Sequence, residues 1–162
     1  MPRISQLFSL SREQPVLDFV DIDPSRDLAL YVDPYLLATQ DGAWAQRASG
    51  TIKYFFTHFF GLLADGKESE AKSMFRNLHE PNETCLGLSL GRPSGRGIGS
   101  GNAHALFESM STSQAVSSGL VQDLEDAEVF IRGIGPDKVS DMVTNIIRGL
   151  LVEYTQAQCA VW

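Results

Sequence analysis

Apolar positions along the chain repeat with two different periods. Between residues 44 and 64, Ala48, Ile52, Phe55, Phe56, Phe59, Leu62 and Leu63 follow one another at steps of three, four or one. That spacing keeps them on one stripe of an α-helix. Asp65-Gly66 supplies its stop. Ala71, Met74, Phe75 and Leu78 continue the pattern over a second helix, and the brief connection predicts an antiparallel helical hairpin. Ala103, Leu106, Phe107 and Met110 mark a further short helix. From Pro136 onward, Val139, Met142, Val143, Ile146, Ile147, Leu150, Leu151 and Tyr154 form an unbroken stripe that predicts one long C-terminal helix. Pro136 suits its first turn, and Asp137 and Asp141 suit the positive end of its dipole.

The remaining runs are too short for helices or alternate from residue to residue. The first 35 residues read as extended structure: a mixed apolar and acidic run over 16–22, and a compact apolar run over 28–32 ended by Asp33-Pro34. Leu86, Leu88 and Leu90 alternate with small residues over 84–90, which reads as a half-buried strand. A further strand is expected over 128–132, and a loop over 111–118. Together these elements predict a single α+β domain over residues 1–162. Its small mixed or antiparallel sheet would be packed by the Phe-rich hairpin and the long C-terminal helix.

Composition agrees with a folded domain, since 43% hydrophobic and 20% charged residues over 162 positions provide a core and argue against disorder. The net charge of −7 excludes broad electrostatic binding to duplex nucleic acid. That charge is uneven. Residues 1–65 carry −3, residues 66–100 carry +1 and residues 101–162 carry −5. Two cysteines, Cys85 and Cys159, cannot build a disulfide framework. No run approaches the roughly 18 apolar residues of a membrane span, and the N-terminus lacks the apolar stretch of a signal peptide. A cytoplasmic protein without a membrane partner is the expectation.

The middle section holds the most distinctive chemistry. Residues 91–101 read GRPSGRGIGSG and hold five of the fourteen glycines. Gly95, Gly97 and Gly99 would let successive backbone N–H groups curl around an anion, and Arg92 and Arg96 could grip a phosphate or carboxylate. The next helix would add the positive potential of its N-terminus. Neither the dinucleotide-binding glycine pattern nor a Walker A loop is present. Against anion binding stands the plain reading of a flexible surface loop.

Other candidates are single residues. His104, directly after this run, is the histidine best placed for general acid–base work. His79 lacks the paired spacing of a zinc site. Cys85 sits in an apolar alternation and reads as a buried, inert thiol. Asp21-x-Asp23-x-Ser25-x-Asp27 resembles the start of a calcium loop, but Arg26 and Val32 stand where the turn glycine and the bidentate glutamate belong. Asp33 could hold a metal at a sheet rim, although aspartate before proline also caps turns. Residues 133–141 gather Asp137, Lys138, Ser140 and Asp141 at the mouth of the last helix, an arrangement equally suited to ordinary capping.

EPNETCLGLS, the GRGIG loop, GIGPDKVSDMVTNII and LLVEYTQAQC resemble segments of uncharacterised bacterial proteins associated with defence or mobile-element loci. The resemblance brings no catalytic residues. It implies that the domain is the N-terminal part of a longer protein, which agrees with the apolar Cys159-Ala160-Val161-Trp162. The leading expectation is an intracellular regulatory or recognition module, binding a phosphate-bearing ligand or nucleic-acid end at Arg92, Gly95, Arg96, Gly97 and Gly99. One alternative is a metal-dependent phosphodiester hydrolase holding a divalent ion at Asp33, Asp137 or Asp141. The other is an interaction or assembly module, meeting a protein partner or a second copy through the apolar C-terminal end or the Phe-rich hairpin. Whether the chain is an enzyme stays open at this point.

Overall fold

The strongest helical stripe of the sequence becomes the spine of the structure. The computed structural model describes residues 2–78, 82–87, 100–118, 124 and 134–162. The first helix, α1 (Ile4–Leu7), is followed by a 3-10 turn at Gln14–Val16. Next come α2 (Pro34–Thr39) and the 22-residue α3 (Ala43–Ala64). Gly66, at φ 72, makes the turn into α4 (Glu68–Met74), which tightens into a 3-10 turn at Phe75–Asn77. Another 3-10 turn spans Asn82–Thr84, ahead of α5 (Ser100–Ser111) and α6 (Gln114–Ser117). The chain finishes with α7 (Pro136–Ile146) and α8 (Arg148–Val161).

The core forms where the stripes of α3, α4, α5 and α7 meet. Phe56, Phe59, Phe75, Phe107, Met110 and Met142 are fully buried. Phe59, Phe75 and Phe107 make a triangle of edge-on contacts, with ring centroids 4.8 to 6.2 Å apart and interplanar angles of 61 to 74°. This is the favoured geometry for aromatic quadrupoles. The Phe-rich hairpin is therefore the inside of the molecule.

The expected α+β fold is not what the structure shows. Among the described residues there is no strand and no sheet; an isolated parallel bridge joins Leu28 and Leu86. The reason is visible at each site. In the 16–22 run, side chains and the nearby α1 take the place of a neighbouring strand. Gln14 donates to the Phe19 carbonyl at 2.8 Å and accepts from the Asp21 N–H at 2.7 Å, while the Ile4 N–H reaches the Ile22 carbonyl. In the 28–32 run only Leu28 finds a backbone ladder, through Cys85 and Gly87. The start of the 84–90 run is bent out of strand geometry by Cys85 at φ 52 and Gly87 at φ 141. Residues 88–90, and the strand expected over 128–132, lie outside the described residues.

Two further expectations are corrected. The loop expected over 111–118 contains α6, whose first turn is capped by the Ser113 hydroxyl accepting from the Ala115 N–H. The long C-terminal helix is two helices. Ile147, buried and at φ −95 and ψ 11, leaves helical geometry between them. It anchors α7 in the core, and α8 continues with no fully buried side chain.

Candidate functional site

Aspartate before proline is a strong helix-start signal, because the carboxylate can accept from the first free amides while proline needs no partner for its nitrogen. Asp33 does this for α2, accepting from Tyr35 N–H at 2.8 Å and Leu36 N–H at 3.3 Å. The segment leading into it is pinned from the far end of the chain. The Val32 N–H donates to the hydroxyl of buried Ser140 on α7 at 2.9 Å. Between the two elements lies a cleft of about 370 Å³, lined by residues 29–34 with Leu36, Pro136 and Val139. Its lining is mostly apolar. Leu30, Tyr31 and Leu36 all keep large exposed surfaces along it.

The sequence candidates distribute unevenly around this cleft. Asp33 lines it, but its carboxylate is the cap of α2. Asp137 is exposed in the first turn of α7, and Asp141 is half-buried one turn on. Among the described residues, no group of three or more His, Cys, Asp or Glu side chains stands close enough to hold a metal ion. His104 lies within α5. Arg92, Gly95, Arg96, Gly97 and Gly99 lie outside the described residues, as does His79. Helix α5 begins at Ser100, the residue directly after Gly99.

The N-terminal aspartates turn inward. Asp21 is buried and accepts both the N–H and the hydroxyl of Ser5 at 2.8 Å, while Arg3 donates to its carbonyl. Asp23, also buried, accepts from the Ser25 hydroxyl at 2.6 Å and the Ser25 N–H at 3.0 Å and pairs with Arg26. The Ser25 hydroxyl, the Ser25 amide and nearby positive charge hold the Asp23 carboxyl below its ordinary value, against the opposing effect of burial. These carboxylates order their own chain and do not outline a calcium loop. Cys85 is a buried free thiol, pushed up by burial and by Asp27 and Asp23. A thiol that resists ionisation is a poor nucleophile. Glu83 pairs with Arg148, which ties this segment to α8.

Sequence reasoning missed Ser140 and the cleft it anchors. The signal was a small polar residue falling on the apolar stripe of Val139 and Val143. At the other end of the molecule, Val161 is 72% exposed and Trp162 is also exposed.

A family described as a domain of unknown function, DUF8370, matches residues 9–162. The chain belongs to that family. The match takes in the cleft, the glycine–arginine run and every candidate named above, so in DUF8370 these features share one domain. No curated protein and no solved structure matches the chain. Among the described residues, no helix of this DUF8370 chain is long and apolar enough to cross a membrane.

Proposed function

We propose that this DUF8370 chain is a recognition module of a bacterial cytoplasmic system, of the kind encoded at defence or mobile-element loci. Its ligand is a phosphate-bearing molecule or nucleic-acid end, held by Arg92, Gly95, Arg96, Gly97 and Gly99. One observation carries the reading: the glycine–arginine run leads without interruption into Ser100, the first residue of the 12-residue α5. The unpaired amides and positive potential of a helix start favour an anion there. Local charge points the same way, since the 66–100 section is net positive in a chain of net charge −7.

The test is a binding panel of nucleotides and 5′-phosphorylated oligonucleotides, with Arg92→Ala plus Arg96→Ala as the probe. Losing two charge-assisted contacts should weaken binding by about a hundredfold. Undiminished binding by the double variant, or no binding by the native chain to any member of the panel, would end this reading. A second reading, assembly through the C-terminal end, is supported by the exposed Val161 and Trp162. Sedimentation over a wide concentration range checks it, and a monomer throughout contradicts it.

A further inference from the structure

The 28–32 run has the apolar composition of a buried strand, yet the structure leaves most of it without a strand partner. In extended backbone, alternate residues offer their N–H and C=O groups to opposite edges. Leu28 uses its own pair on one edge, donating to Cys85 and accepting from Gly87, both at 2.8 Å. Ala29 and Tyr31 face the other way in that alternation. Among the described residues, neither makes a main-chain hydrogen bond. Their neighbour Leu30 is 43% exposed and Tyr31 itself 38% exposed, both along the cleft closed by Pro136 and Val139. An open edge beside an apolar cleft is the arrangement by which a peptide adds to a protein as an extra strand.

We propose that this edge docks an extended, apolar segment of a partner protein that carries lysine or arginine at its flank. Charge selects the occupant. A second copy pairing antiparallel about Leu30 would set Asp27 opposite Asp33 at both ends, and like charges directly opposite are unfavourable. The exposed Asp33 on the cleft and Asp137 beside it in the first turn of α7 instead favour a basic flank. Main-chain hydrogen bonds to Ala29 and Tyr31 would hold the peptide. The cleft would take one of its apolar side chains.

The experiment is selection of a random peptide display library on the full chain, with amide hydrogen exchange on the unbound protein. Expected are β-prone apolar peptides flanked by Lys or Arg, and fast exchange at Ala29 and Tyr31. Tyr31→Pro, which removes one N–H donor, and Leu30→Glu, which charges the cleft wall, should each weaken the selected peptides about tenfold or more. If Tyr31→Pro does not fold, judged by its helical circular dichroism, the exposed Leu30→Glu decides alone. The proposal is overturned by any of four results: no enriched peptide, enriched peptides that are acidic or indifferent to the variants, protected amides at this edge, or a dimer abolished by Leu30→Glu.

Discussion

Residues 2 to 33 and the helical bundle beyond them are ordered by different forces. In the bundle, Phe56, Phe59, Phe75, Phe107 and Met142 are fully buried, and their contacts hold α3, α4, α5 and α7 together. In the N-terminal arm the buried side chains include Ser5, Asp21 and Asp23, while Leu7, Phe8, Val16 and Val20 are exposed. Apolar burial is non-directional and tolerates modest repacking. A buried carboxylate is stable only while each of its donors stays in place. The arm should therefore respond sharply to polar substitutions that the core would never notice, and the core to cavities.

The largest effect belongs to the core. Phe59→Ala removes the ring shared by Phe75 and Phe107 and should lower stability by about 3–5 kcal/mol in a denaturant titration. A loss below about 1 kcal/mol would mean that the aromatic triangle is not the centre of the fold. Next comes Asp21→Ala, which leaves the Ser5 amide and hydroxyl without their acceptor and should cost about 1–3 kcal/mol. Its signature is local. Protease cleavage within the arm and alkylation of buried Cys85 should both accelerate, because the Cys85 carbonyl is bound by Leu28 of the arm. Unchanged Cys85 labelling would show that the arm does not shield it.

A smaller effect separates capping from chemistry at Asp33. Asp33→Ala should cost about 1 kcal/mol by uncapping α2, and Asp33→Asn should restore most of it. If a divalent cation raises the melting temperature of the native chain and Asp33→Asn abolishes that rise, Asp33 is a metal ligand after all.

Legibility in the sequence divides along the same line. The stripes of α3 and α7 can be read directly, because apolar residues sustained at a 3.6-residue period over three turns or more fit a helix and not a strand. The arm cannot. An alternating run shows that one face is apolar, but not which groups satisfy its backbone, and here Gln14, Arg3 and α1 do so across short loops. Asp33-Pro34 reads as the end of a strand and is the start of a helix, because its carboxylate turns forward to the amides of Tyr35 and Leu36. The break at Ile147 is hidden because a buried isoleucine continues the stripe whether or not its own backbone is helical. At the site, Asp33 and the polar start of α7 are visible in the sequence. Their meeting through Ser140 and Val32, 108 residues apart, is not.

The finest separation of the two regions is by pH, and it rests on Asp23. The Ser25 hydroxyl, then the Ser25 amide, favour the charged carboxylate, so its folded pKa lies below the ordinary value. Above about pH 4, the ordinary carboxylate range, the group is ionised in both folded and unfolded chains and its contribution is fully present. As pH falls below that range the unfolded chain takes up the proton first, and the contribution fades until the folded carboxyl itself titrates. The fully buried cluster of Phe56, Phe59, Phe75 and Phe107 has no titratable group of its own. An acid titration followed by nuclear magnetic resonance should therefore loosen the Ser25 amide and its neighbours while the Phe59 and Phe107 rings keep their folded signals. Asp23→Asn, which can accept from Ser25 at any pH, should flatten the arm's response. Arm and core signals lost at one common midpoint, unchanged by Asp23→Asn, would show that the two regions unfold as a unit and that their different forces do not make them separable.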